Sequence, residues 1–129
     1  MILLDADVII ELERQNEKII AELERLQAEH AEMFAISPAV YAEVYYGNLA
    51  VPEKAAKVNI LLEKFKTLPF NEDSAKIFAK IKFLLDKKGT TIPISDLITA
   101  SVALEHDSIL VSKDEHFKRV PNLKLISLK

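Results

Sequence analysis

An α/β fold is expected, with helices on both faces of a central parallel five-stranded sheet, and three observations lead to it. The chain opens on an unbroken apolar run, Ile2-Leu3-Leu4, that ends in Asp5. A run without polar alternation reads as a strand buried on both faces, and such strands belong to parallel sheets covered by helices. Further short apolar runs recur at 34–36, 67–70, 108–112 and 123–128. Segments of helical period separate most of them, as crossovers between parallel strands require. No repeat, low-complexity segment or linker interrupts the 129 residues, so a single domain over 1–129 is expected.

The elements follow in order. Asp7 is a plausible N-cap for a short helix over 8–14. Asn16 caps a longer one, with Ile19, Leu23, Leu26 and Met33 at helical spacing and Glu22, Glu24, Arg25 and Glu29 opposite. His30 falls near this stripe and reads as a packing or surface residue. Phe34-Ala35-Ile36 is the second strand. Ser37-Pro38 supplies a cap and a first-turn proline to a helix that ends at Gly47, with Val40, Val44 and Leu49 around Glu43. Pro52 opens a helix over 53–66 with Val58, Leu61, Leu62 and Phe65 inward, and 67–70 is the third strand. Asp73 caps the next helix, whose core face is Ile77, Ile81, Leu84 and Leu85, whose lysines are solvated, and which stops at Gly89. Ser95 caps the last long helix, with Asp96 in its first turn. SILVS and LKLISL are the fourth and fifth strands.

Composition narrows the function. Half the residues are hydrophobic and 29% are charged, enough for a packed core and too apolar for disorder. No apolar run approaches a membrane span, and no basic-then-apolar leader opens the chain, so a cytoplasmic protein without membrane contact is expected. The absence of cysteine excludes disulfides, zinc–thiolate sites and a thiol nucleophile. A net charge of −3 argues against a general nucleic-acid coat protein; contact with nucleic acid must be local or bridged by cations.

Four acids stand at comparable places. Asp5 ends the first strand, Glu43 lies on the helix after the second, Asp96 begins the helix before the fourth, and Asp114 follows the fourth. Glu43 has mostly apolar or aromatic neighbours, and a carboxylate held among them needs a partner or a cation. The alternative for Asp96 is a simple helix-dipole partner. If strands one and four are neighbours, one sheet edge gathers all four. Four carboxylates crowd together only around a counter-charge, and oxygen donors suit hard cations such as Mg²⁺ or Mn²⁺. Lys113, Lys118 and Arg119 follow the fourth strand and are candidates for holding substrate phosphates. Tyr41, Tyr45 and Tyr46 surround Glu43 and offer either a partner surface or core packing.

The stretches LLDADVII, AVYAEVYYG and SDLITASVALEHDSILVSKDEHFKRVPNL resemble the successive motifs of PIN-domain ribonucleases, above all the compact VapC-type toxins. The resemblance covers essentially the whole chain. It implies a PIN-like three-layer α/β/α fold and an Mg²⁺- or Mn²⁺-dependent endoribonuclease, with the catalytic metal ligands on Asp5, Glu43, Asp96 and Asp114. Ser112 matches a position that is often Thr or Ser and orders the site. Water would attack phosphorus and leave a 5′-phosphate. A cognate antitoxin and a homodimer are implied as partners. Two departures are visible: Ala6 replaces a frequent hydroxyl residue, and Asp7 stands where many members have Asn, either as a fifth ligand or as the cap. Glu115 is an alternative to Asp114. Two other classes stay open. One is a PIN-like scaffold that binds RNA or protein without cleaving. The other is a haloacid-dehalogenase-like phosphatase with Asp5 as nucleophile, which would leave Glu43 and Asp96 without a role.

Overall fold

The computed structural model describes residues 1–128. Its elements run β1 (Ile2–Leu4), α1 (Ala6–Glu13), α2 (Glu17–His30), β2 (Phe34–Ile36), α3 (Pro38–Tyr46), α4 (Pro52–Leu62), β3 (Lys66–Thr67), α5 (Glu72–Lys87), α6 (Ile94–Glu105), β4 (Ile109–Ser112), a 3₁₀ turn (Glu115–Arg119) and β5 (Leu125–Ser127). The strands pair in the order β3-β2-β1-β4-β5, all parallel. The chain leaves β1 for β2 and β3 on one side, then crosses back to β4 and β5 on the other. Right-handed crossovers in the two directions put their helices on opposite faces.

The buried side chains divide accordingly. Ile2, Leu4, Ile36 and Val111 pack with Val8, Ile9, Leu23, Leu26, Val44 and Leu62 beneath α1 to α4. Leu3, Ala35 and Leu110 face the other way, onto Ile81, Leu85, Leu97 and Phe117. Successive strand residues thus serve two cores, which is why the strands read as unbroken apolar runs.

Local sequence sets several boundaries. The Asn16 side chain accepts from the backbone N–H of Lys18 at 3.1 Å and Ile19 at 3.3 Å, and Ser37 Oγ accepts from Val40 N at 3.1 Å. Other expectations are corrected. Helix α1 starts at Ala6, directly from the end of β1, so Asp5 holds the cap position and Asp7 lies in the first turn. Helix α5 is capped by Asn71, which accepts from Ser74 N while Ser74 Oγ accepts from Asn71 N, a reciprocal box that starts the helix before Asp73. Pro93, not Ser95, precedes α6. The third strand lies at Lys66–Thr67, earlier than expected, because α4 ends at Leu62 and Pro69 has no N–H to continue the ladder. Met33, Leu49 and Leu84 are exposed rather than inward. Met33 and Leu49 lie past the ends of their helices, and on α5 it is Ile77 and Phe78 that pack partly buried against the core beside Ile81 and Leu85. No helix among the described residues is long and apolar enough to cross a membrane.

Candidate active site

The return of the chain past β1 makes the carboxyl ends of β1 and β4 a switch point in strand order, where parallel sheets open a crevice. Asp5 N donates to Val111 O at 3.0 Å, so the β1–β4 ladder runs to the edge and Asp5 leaves the sheet beside Ser112. The Asp5 side chain makes no capping bond to α1. Instead Ser112 Oγ donates to Asp5 Oδ2 at 2.7 Å and accepts from Asp114 N at 3.0 Å. One buried hydroxyl therefore fixes both strand-end acids.

Helices α3 and α6 deliver the other two. Ser37 Oγ lies 2.8 Å from Thr99 Oγ1, and the Thr99 hydroxyl donates to Ser95 O at 3.1 Å. Since Thr99 spends its only proton on Ser95, Ser37 is the donor between them. This buried link ties the start of α3 to the first turn of α6, and so relates Glu43 to Asp96. The Ser95 side chain lies near enough to Glu43 to favour its charged form.

The electrostatics show one cluster rather than four separate acids. Burial pushes Asp5 up from 3.8 to about 7; the Ser112 hydrogen bond opposes the rise, and repulsion from Asp7 and Asp96 adds to it. Asp7 is raised by burial, against the Lys113 backbone N–H, with Asp114 repelling it. Asp96 is raised by burial, against its bond to His116, again with Asp114 opposing its charge. Glu43 is the most open residue of the set, yet partial burial of its carboxyl group and repulsion from Asp96 raise it too. Asp5, Asp7, Glu43 and Asp96 are thus all raised across a single crevice, with one another and Asp114 among the charges that add to the effect of burial.

Two further side chains shape this crevice: Asp7, which the sequence leaves open between ligand and cap, and His116, which it does not single out. Asp7 Oδ2 accepts from Lys113 N at 3.1 Å, which closes the end of β4 onto α1, while Asp7 Oδ1 is buried without a hydrogen-bond partner. Sequence reasoning left Asp7 between cap and ligand; the cap is excluded. His116 bridges two acids: Nδ1 lies 2.8 Å from Asp114 Oδ1, and Nε2 contacts Asp96 Oδ2. Donor atoms of Asp96, Asp114 and His116 all fall within 4.8 Å of one another. The only signal for His116 in the sequence was its place two residues after a strand-end acid.

A divalent cation fits these residues. Clustered carboxylates of raised affinity for protons need positive charge, and the buried, unpaired Asp7 oxygen is an acceptor with no protein donor. Oxygen donors of this kind suit Mg²⁺ and Mn²⁺.

The remaining candidates have partners of their own. Lys113 Nζ lies 3.6 Å from Glu11 Oε1, Lys118 pairs with Glu115, and Arg119 Nη1 donates to Thr91 O at 3.0 Å. Glu115 also accepts from Ser127 Oγ at 3.3 Å, on the β5 side. Tyr41 and Tyr45 are half-buried and pack together, Tyr41 donating to Asn59 Oδ1 at 3.0 Å, whereas Tyr46 is exposed. A groove of about 710 Å³ leads from Glu43 between α1, α3 and α4; Ile10, Val44, Val58 and Leu61 line it, with Arg14, Lys54 and Lys57.

The PIN domain family model matches residues 2–123. Ribonuclease VapC2 of Rickettsia felis is 33% identical over 95 residues, covering 70% of this chain and 71% of that protein. Toxin FitB of Neisseria gonorrhoeae is 32% identical over 126 residues, covering 88% of each. The crystal structure of VapBC2 from Rickettsia felis, bound to a DNA fragment from their promoter, includes a chain that matches with a TM-score of 0.88 at 27% identity over 100% of both chains.

Proposed function

The chain belongs to the PIN domain family, and from that premise we propose that it is the ribonuclease toxin of a toxin–antitoxin pair, cleaving RNA with a divalent cation held by Asp5, Glu43, Asp96 and Asp114, and with Asp7 as a further ligand. The observation that carries this reading is the gathering of these carboxylates at the β1–β4 switch point, where burial above all, with one another's charge adding to it, raises Asp5, Asp7, Glu43 and Asp96. Side chains so arranged are poorly placed to stabilise the fold by themselves, and well placed to hold a cation.

When bound, Mg²⁺ or Mn²⁺ supplies the charge that makes water nucleophilic near neutral pH and steadies the leaving oxygen. The protein's part is orientation. Ser112 holds Asp5 and the Asp114 backbone in fixed relation, and Lys113 N holds Asp7. The P–O3′ bond breaks as the water oxygen bonds to phosphorus, leaving a 3′-hydroxyl and a 5′-phosphate. Lys113, Lys118 and Arg119 hold neighbouring phosphates; the Lys118–Glu115 pair and the Arg119 bond to Thr91 O are exposed enough to exchange for RNA, and the Lys113 side chain is partly exposed beside the largely buried Glu11.

The cognate antitoxin is the protein partner, and the groove beside Glu43 offers it an apolar floor with basic side chains. A homodimer would cover exposed Tyr46, Leu49 and Ile60. The family match favours neither the inert scaffold nor the phosphatase.

The test is RNA cleavage by purified chain free of antitoxin. Cleavage to 5′-phosphate ends is expected with Mn²⁺ or Mg²⁺ and none with EDTA. Cleavage undiminished in EDTA, or absent with both metals on a broad RNA panel, overturns the reading.

A further inference from the structure

Resting on the cation-binding reading above, one residue outside the carboxylate set changes what the site should prefer. His116 follows Asp114 by two positions and stands at the start of the 3₁₀ turn. Its neighbour Phe117 is fully buried, and the two rings lie 5.3 Å apart, so the imidazole is held by the core behind it. A neutral imidazole has one N–H donor and one lone pair. Nδ1 lies 2.8 Å from Asp114 Oδ1 and Nε2 meets Asp96 Oδ2, so whichever nitrogen carries the N–H, the other turns its lone pair toward a carboxylate oxygen. Two acceptors in contact need a positive centre shared between them.

Metal-binding histidines show this pattern: one ring nitrogen faces the ion while the other donates to an orienting carboxylate. Here both neighbouring acids already belong to the proposed cation site, and donor atoms of Asp96, Asp114 and His116 all lie within 4.8 Å of one another, so one acid can orient the ring while the other shares the ion with it. We propose that the ring nitrogen of His116 that carries no N–H is a direct ligand of the cation, which makes the site a mixed nitrogen–oxygen one. Mg²⁺ is served best by oxygen donors, whereas an imidazole favours the first-row transition ions. A nitrogen in this position biases the protein toward Mn²⁺ over Mg²⁺.

Pulsed EPR of the Mn²⁺-loaded full chain reads the ligand directly, independent of catalysis. The parent should show ¹⁴N modulation of imidazole type. His116→Gln should lose it while still binding Mn²⁺, with affinity lowered about ten- to a hundredfold and Mg²⁺ affinity changed by less. Circular dichroism of the variant checks its fold, and the parent spectrum is decisive even if the variant folds poorly. Bound Mn²⁺ without ¹⁴N modulation in the parent, or modulation that survives in His116→Gln, overturns the proposal and leaves the carboxylate site standing. Failure of the parent to bind Mn²⁺ at all overturns the cation-binding reading itself.

Discussion

Asp5→Asn is expected to lower RNA cleavage on the order of a hundredfold or more, the scale of losing one preorganised charge from an active site, while the chain stays folded. Asparagine matches aspartate in shape, and its carbonyl oxygen still accepts from Ser112 Oγ, so the link that fixes the two strand ends survives. What disappears is one of the negative charges that bind the cation. Because Asp5 is only 5% exposed, no solvent ion or neighbouring acid easily takes its place. Initial rates with saturating Mn²⁺, beside circular dichroism of both proteins, check this. A variant that cleaves within tenfold of the parent would remove Asp5 from the machinery.

The largest effect on stability is expected from Phe117→Ala, at about 3–5 kcal/mol, the range for emptying a buried aromatic site. Phe117 has no exposed surface and packs in the core beneath α5 and α6 with Leu3, Leu97 and Leu110. For a chain of this length the loss corresponds to a fall in Tm of roughly 10–20 °C. The same side chain anchors the 3₁₀ turn that carries His116 and follows Asp114, so metal affinity should fall with stability. Urea and thermal melts of parent and variant measure the first effect, and Mn²⁺ titration the second. A loss below about 1 kcal/mol would mean that this end of the sheet repacks without its anchor.

The features legible in the sequence are the ones set by short-range chemistry. Ile2-Leu3-Leu4 could be read as a doubly buried strand because its side chains do serve two cores. Asn16 and Ser37 could be read as caps because each bonds a backbone N–H within three residues. The meeting of Asp5, Asp96 and Asp114 was legible because strand ends and helix starts are where a parallel sheet gathers polar groups, whereas Glu43, in the second half of α3, stands out only by its apolar neighbours. Helix registers were less so. Asn71 rather than Asp73 caps α5, since the partner that completes the box is Ser74 rather than the usual Glu or Gln. The role of Asp7 turned on whether α1 begins one or two residues later, a distinction sequence patterns do not make. His116 was missed because its bond to Asp96 spans 20 residues and depends on a 3₁₀ turn docking Phe117 into the core.

Four thermal melts at pH 7.5 test most directly whether these carboxylates form one cation site: parent and Asp5→Asn, each in EDTA and in excess Mn²⁺. Asp5 in the folded protein holds its proton up to about 7, against 3.8 ordinarily. Below 3.8 both states are protonated and the shift costs nothing. As pH rises toward 7 the unfolded chain releases this proton first, so the group's effect is to lower stability, and above about 7 the full cost is present. At about 1.4 kcal/mol per pH unit, that cost reaches at most about 4 kcal/mol. Asparagine removes it, so in EDTA the variant should melt above the parent. Excess Mn²⁺ at a hundred times Kd should stabilise the parent by about 2.7 kcal/mol and the variant by far less, narrowing the gap accordingly. A variant that melts below the parent in EDTA, with neither protein responding to Mn²⁺, would contradict a cation site at the end of β1.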